Sequence, residues 1–411
     1  MEFRTFHVPS LAWFGQKDLR IEFPANWQVT FLPMNGYKKP RVSDDEIKHA
    51  LREPIGAKSL AKIAAGKKEA VIVVDDLTRA TRAHQILPHL LTELKTAGIS
   101  DDHIRFIIGS GLHAAWYRYD FAKKIGEENV EKYPVYNHIP FSNYEKLGET
   151  TKGTPVEINA EYTSCDLRIG IGSVVPHPDS GFSGGAKILL PGISSYESIK
   201  HMHVDVPSPG TQTTWGQLSG NRLREDIDEA GNIAGIDVKI DVLLNGVADS
   251  SEIFAGNCRE EFSRATAKSR LHYLTPNFPE VDVLILNTYA KASQATLGII
   301  NWKHRVKKNG VIVLIAQAPE GQGTHYLYGK FGKENFAPGC VPSEQAAIRK
   351  LIVFSDYKVA DPLLPIAANP IIWLKDWKDV IAEIKSISNE PTVALLPNSD
   401  IQCDEQRLSQ Q

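Results

Sequence analysis

The stretch AVIVVDDLTRATR, residues 70–82, decides how the fold is read. Its first five residues are apolar without interruption, the mark of a strand covered on both faces rather than on one. The run then breaks into ionisable residues, DDLTR, and passes to the helix-period stretch HQILPHLLTELKTAG. The same order recurs outward from there. IRFIIGSGLH (104–113) precedes the helical DFAKKIG, CDLRIGIGSVVPH (165–177) is a third strand, and KIDVLLN (239–245) is expected to be the last strand of a first unit. VDVLILNTYA (281–290), GVIVLIAQA (310–318) and PTVALLP (391–397) rebuild a smaller layer. Helices are expected at SEQAAIRKLI (343–352) and WKDVIAEIKSI (377–387). Strands alternating with helices make parallel sheets. The fold class expected is therefore α/β, with two α/β domains of mostly parallel strands and an active-site cleft between them. The Pro-containing HYLTPNFPEVD (272–282) sets the expected boundary: an N-terminal catalytic and cofactor-binding domain over 1–272, and a smaller domain over 273–411 that closes the cleft.

At 411 residues the chain is too long for one core, which agrees with two domains. A net charge of -3, with 23% charged and 42% hydrophobic residues, gives no basic footprint, so nucleic acid is not an expected partner. No apolar run approaches the roughly 20 residues that span a bilayer, so no membrane partner is expected. The opening MEFRTFHVPSLAWFG lacks a basic start followed by a long apolar core, so no secretory signal is expected. The four cysteines, Cys165, Cys258, Cys340 and Cys403, form no CxxC pair. Such scatter argues against a zinc knuckle or disulfide framework and fits a reducing cytoplasm. A metal here would be held mainly by histidine, carboxylate or a cofactor.

In parallel sheets ligands bind beyond the carboxyl ends of the strands. Three such ends carry polar residues: Asp75, Asp76, Thr78, Arg79 and Arg82; then Gly109, Gly111 and His113; then His177 and the turn GFSGGAK (181–187). Each has a plainer reading. DDLTRATR suits a helix start, where Asp and Thr cap the first turn, although two arginines there oppose the dipole and call for an anion. GSGLH suits a tight turn with a solvated imidazole. His177, between two prolines, suits a rigid turn or a pre-oriented base. The turn is no Walker A loop, because Lys187 is followed by Ile188 rather than Ser or Thr. Lys187 enters the apolar segment ILLPG, which leaves an outward-snorkelling lysine, an anion contact or covalent use all open. In YESIKHMH (196–203) a helix sends His201 and His203 to nearly opposite sides, so at most one faces a site.

Taken together, PHPDSGFSGGAKILLPGISSYE with a histidine sixteen residues beyond the lysine resembles the lactate racemase family that carries a nickel-pincer nucleotide. DDLTR after a strand, the glycine-flanked GLH, GNRLREDIDEAGNIAGIDVKIDVLLN (220–245) and FAGNCREEF (254–262) follow in the family's order, and the likeness runs from about residue 70 to 300. The resemblance implies a racemase or epimerase, an isomerase that inverts C2 of a 2-hydroxy acid by reversible hydride transfer. It implies that Lys187 carries the nickel-pincer nucleotide covalently, supplied by cofactor-biosynthesis enzymes, and that His203 is the protein's nickel ligand. It implies His113 and His177 as acid/base groups and Arg79 as the carboxylate-binding guanidinium. Asp76 would orient Arg79 or bind the nucleotide. Ser183, Gly184 and Gly185 would offer donors to its phosphate or ribose.

The departures concern substrate. In the second domain ASQATLGI (292–299) keeps Gln294 for substrate binding but has Leu297 where the family's lactate-binding lysine is expected. Lys291 and Lys303 are the neighbouring replacements. Arg82 and Asp179 add charge where apolar residues are expected. The substrate expected is thus a 2-hydroxy acid other than lactate, longer or polyhydroxylated, such as an aldonate. Two competing readings are a Schiff-base enzyme using Lys187 and a non-catalytic paralogue that binds a small carboxylate.

Overall fold

A computed structural model describes residues 2–207, 215–322, 349–358 and 371–405. The chain divides into two units. Among the described residues, one comprises the stretch 38–272 and the other the residues before 38 together with those after 272.

The unit of residues 38–272 is built on six strands, numbered here within this unit. They are β1 (Ala70–Asp75), β2 (Ile104–Gly109), β3 (Val135–Asn137), β4 (Leu167–Ser173), β5 (Val238–Leu244) and β6 (Ser250–Gly256). Their spatial order is β6-β5-β4-β1-β2-β3. All neighbours are parallel except β5 and β6, which form an antiparallel edge hairpin. KIDVLLN is therefore not the last strand of its unit. SSEIFAG returns beside it, with a register shift near Leu244.

The central strands form because β-branched residues alternate toward two covered faces. Val71, Val73 and Ile107 pack under Ile188, Leu189 and Leu190 and against Ile227 and Ala230. The helices that matter for the site are α1 (Leu87–Thr96), α2 (Arg118–Ile125), α3 (Tyr196–Val204), α4 (Arg222–Ala234) and α5 (Cys258–His272). Pro88 falls in the first turn of α1, where its missing N–H costs no helical bond. Ser195 caps α3 by accepting from the Ser198 amide.

The second unit holds a parallel six-stranded sheet. Its strands lie in the order Ile371–Leu374, Lys350–Phe354, Val306–Ala316, Val281–Thr288, Thr392–Leu396 and Gln28–Phe31. Leu284, Leu286 and Ile312 build one buried face while Val283, Ile285 and Val311 build the other, which is why these strands read as continuous apolar runs. The division into units falls between residues 272 and 273, and the residues before 38 group with the C-terminal unit, not with the first domain. The reason is pairing: Gln28–Phe31 lies parallel to Thr392–Leu396. The helix expected at 343–352 is corrected in part. Residues 350–352 open the strand KLIVF, which pairs with 311–315, and 343–348 lie outside the described residues.

Candidate active site

The unit of residues 38–272 brings together the polar residues that follow β1, β2 and β4. Asp76, immediately beyond β1, is buried. Its Oδ1 accepts the Thr78 amide at 3.1 Å and the Thr78 hydroxyl at 2.5 Å. Its Oδ2 lies 2.8 Å from Nδ1 of His113 and accepts the Trp116 indole N–H at 3.3 Å. Burial opposes ionisation of this carboxyl, but His113, Arg79 and Thr78 outweigh it and hold the pKa at about 2. Asp76 is thus an ionised partner of His113. Arg79 is nearby but is turned to Thr78, its Nη1 donating to the Thr78 hydroxyl oxygen at 2.9 Å.

The DDLTR turn is held from below by a residue that the sequence reading passed over. Lys124 of α2 is fully buried, 2.6 Å from Asp75 Oδ1, and donates to the carbonyls of Arg79 at 2.8 Å and Thr81 at 2.9 Å. The available signal was its spacing: Phe121, Lys124 and Ile125 form the apolar stripe of α2, where a charge is out of place. Arg82 does not add a charge for a substrate, because it pairs with Asp249 at 2.7 Å.

The two candidate acid/base histidines hold different protons. An ionised carboxylate only accepts, so His113 carries a proton on Nδ1, and in its neutral form the lone pair lies on Nε2. His177 is the reverse. Its Nδ1 accepts the amides of Asp179 at 3.2 Å and Ser180 at 3.4 Å, so the neutral ring carries its proton on Nε2. The Asp179 carboxylate stands 3.9 Å from the same Nδ1.

Lys187 lies in a short 3₁₀ turn, Gly185–Ile188, and its Nζ donates to Ser180 Oγ at 3.0 Å. Ser180 thereby touches both His177 and Lys187. His203, on α3, donates from Nδ1 to the Ile199 carbonyl at 2.8 Å, which leaves Nε2 as the lone-pair nitrogen. Burial, with the charges of Lys187 and His113 adding to it, lowers its pKa to about 4 against the Ile199 bond, so the ring is neutral. His201 faces elsewhere and meets the hydroxyl of Thr154, which donates in turn to Asp226. Two positions along the helix therefore separate a histidine that feels the Lys187 charge from one in a structural network.

The glycine-rich turn is a correction. Ser183 donates its hydroxyl to the Ser173 carbonyl and its amide to the Val175 carbonyl, while the Gly185 amide donates to Asp241 Oδ2 at 2.7 Å. Those donors are used inside the protein. A Cβ at Gly184 would meet Val174 at 2.5 Å, and one at Gly185 would meet Phe262 at 2.9 Å. These two glycines admit neighbouring protein to the backbone.

Gln294 and the lysines considered with it belong to the other unit. Gln294 ends the 3₁₀ turn Ala292–Gln294, just beyond the strand Val281–Thr288. Lys291 is buried, and its amide donates to Asp400 Oδ2. Burial raises the Asp400 pKa to about 6 against the pull of that amide and of the Lys291 charge. Lys303 begins the short turn Lys303–Arg305.

Residues 14–214 match the model of the lactate racemase N-terminal domain. The lactate racemase of Thermoanaerobacterium thermosaccharolyticum is 29% identical over 311 residues, covering 74% of this chain and 72% of that protein. That of Lactiplantibacillus plantarum is 29% identical over 300 residues, covering 70% and 69%. The chain is thus similar to lactate racemases over most of its length. The fold agrees. The lactate racemase apoprotein of T. thermosaccharolyticum superimposes with a TM-score of 0.75 at 22% identity, over 98% of this chain and all of that one. A Thermotoga maritima protein of solved structure follows with a TM-score of 0.64 at 16% identity, over 90% of this chain. No helix among the described residues is long and apolar enough to cross a membrane.

Proposed function

We propose that this protein is a member of the lactate racemase family and inverts C2 of a 2-hydroxy acid other than lactate, using a nickel-pincer nucleotide carried on Lys187. The observation that carries the reading is the pair of histidines of opposite tautomer, His113 and His177, in a site that also holds a lysine and a neutral histidine.

The donor set fits the cofactor. His203 is neutral with its tautomer fixed by a backbone carbonyl, as a ligating imidazole requires. Among the described residues no three His, Cys, Asp or Glu side chains converge on a metal site, so His203 would serve as a single protein ligand to a metal whose other donors come from the nucleotide. Lys187 would hold the nucleotide covalently beside it. When bound, the nucleotide supplies a hydride acceptor and donor for C2.

The protein's own residues handle binding and protons. Arg79 pairs with the substrate carboxylate through its planar fork. His113 takes the hydroxyl proton at Nε2, and Asp76 stabilises the resulting imidazolium through Nδ1–H. His177 in its resting tautomer donates a hydrogen bond from Nε2–H. To work as a base it must give up the amides of Asp179 and Ser180, and the Asp179 carboxylate is then the acceptor for an Nδ1 proton. Leu297 in place of an expected lysine argues against a lactate-sized anion as the best substrate. Schiff-base chemistry on Lys187 gives no role to a fixed His203 tautomer and is the weaker reading.

The test is intact mass and metal content of protein co-expressed with the cofactor-building enzymes. An adduct on Lys187 with about one nickel per chain is expected, and an unmodified lysine under confirmed cofactor supply overturns the proposal. A panel of C2-deuterated 2-hydroxy acids then identifies the substrate. Deuterium stays at C2 through inversion if hydride is transferred; washout into solvent means carbanion chemistry. Lactate turnover equal to that of the best acid in the panel removes the substrate reading.

A further inference from the structure

The motif GNRLREDIDEAG (220–231) has no part in the chemistry above, yet three of its residues meet the backbone that carries Lys187. Asn221, the N-cap of α4, donates its side-chain amide to the Asp179 carbonyl at 2.9 Å. Arg224 is buried and spreads its guanidinium over three further carbonyls. It donates from Nε to Ser180 at 3.4 Å, from Nη2 to Phe182, and from Nη1 to Gly184 at 3.4 Å. Asp228, one turn on, takes an ion pair from Nη1 at 3.2 Å, and the guanidinium lies 4.3 Å from the centre of the Phe262 ring. Further along the same helix, a Cβ on Gly231 would stand 2.4 Å from the Cβ of Ala186. The positions 221, 224, 228 and 231 repeat at three and four, so they share one face of α4.

We infer that α4 is a splint for residues 179–186, and that Asn221, Arg224 and Gly231 are positioning residues that set where the Lys187 amine stands. The guanidinium is the one side chain that can serve three carbonyls from a single rigid plane. Gly231 is helical, so alanine would fit its backbone and raise helix propensity. What keeps the site a glycine is the closeness of Ala186, the residue beside the lysine. The inference rests on Lys187 being the cofactor tether, and its test is built to fail separately from that reading.

Three variants are compared with wild type: G231A, the double variant G231A/A186G, and R224K, which keeps the charge and loses the planar fork. In cofactor-free protein, lysines are reductively methylated with ¹³C-formaldehyde, and the Lys187 resonance is identified by its loss in K187R. In protein co-expressed with the cofactor-building enzymes, adduct occupancy is read by intact mass. G231A is expected to melt near the wild-type temperature while its Lys187 resonance moves and its turnover falls about 10²-fold, the cost of displacing a reacting group by roughly an ångström. The double variant should restore resonance, occupancy and turnover together. R224K should move the resonance as G231A does. Wild-type resonances in both G231A and R224K overturn the inference, as does a double variant that remains displaced. A wild-type chain that never acquires the adduct overturns the tether reading instead, and the resonance comparison still decides the splint.

Discussion

Nδ1 of His113 lies 2.8 Å from Oδ2 of Asp76, and this contact makes His113 unlike its counterpart His177. An imidazole backed by an ionised carboxylate is prepared to gain a proton at the far nitrogen. An imidazole backed by two peptide N–H groups is not. In Asp76→Asn the amide oxygen can still take the Thr78 amide, so folding is expected to survive, but His113 loses its anionic partner. Turnover should fall about 10²- to 10⁴-fold, the usual worth of a positioned acid/base group, as read by polarimetry or chiral chromatography on the identified substrate. An Asp76→Asn enzyme with at least half the wild-type turnover would show that the pair has no chemical role.

Metal content should distinguish the two histidines of α3. His203→Ala is expected to lose nickel from protein made with the cofactor-building enzymes. His201→Ala, which cuts only the contact to Thr154, is expected to keep it. Elemental analysis of the two purified variants is the check, and equal nickel in both would remove His203 as ligand.

Lys124 is expected to be the costliest single charge to remove from the turn after β1. Lys124→Met leaves Asp75 buried without its cation and two carbonyls without a donor. The loss should be about 3–5 kcal/mol in urea unfolding, the range for breaking a buried pair from one side. Adding Asp75→Asn to that variant should return part of it. A Lys124→Met protein as stable as wild type would show that the pair carries no stability.

Stability should fall as pH is lowered from about 6.5 toward 4. Burial, only partly offset by the bond to Ser194, lowers the His138 pKa to about 4. Its Nε2 faces the Ser194 carbonyl at 2.7 Å and its Nδ1 faces the Asn159 amide at 3.2 Å. The sign follows from linkage: the unfolded chain binds a proton near pH 6.5 while the folded one does not, so stability is complete above that value and declines below it. The full effect of His138 is about 3 kcal/mol. His203 acts in the same direction and window. Asp76, with its pKa at about 2, contributes stability that is present above pH 3.8 and is lost only as pH falls through 2, below this range. Denaturant midpoints between pH 7 and 4.5 should fall in wild type and fall less in His138→Gln. Asp400, its pKa raised to about 6, opposes this in the same window, so the decisive reading is the difference: a His138→Gln profile as steep as wild type would contradict the buried neutral imidazole.

Much of the fold was legible because strands covered on both faces carry unbroken apolar runs, as AVIVVDD and VDVLILN do. Gln28–Phe31 was not, since its four residues pair with Thr392–Leu396 at the far end of the chain and no local signal reports so distant a partner. KLIVF was missed because it was read as the end of a helix-period stretch. At the site, residues at strand ends could be found from position alone. Lys124 and Arg224 could not be assigned roles, because their partners are carbonyls of other segments and a carbonyl has no sequence signature. The glycines at 184 and 185 misled for a related reason: close approach is visible in sequence, but what approaches is not.

The pairing of Gln28–Phe31 with Thr392–Leu396 also governs how the chain matures during synthesis. The unit of residues 38–272 can close its sheet as soon as its own last helix has emerged. The preceding segment must wait for a strand made about 360 residues later, an interval of roughly 20–70 s at ordinary elongation rates. Through that time QVTF has no final strand partner, although Phe3–Ser10 and Lys17–Pro24 can already pair with each other, and an unpaired strand is the condition under which nascent chains recruit chaperones or associate with one another.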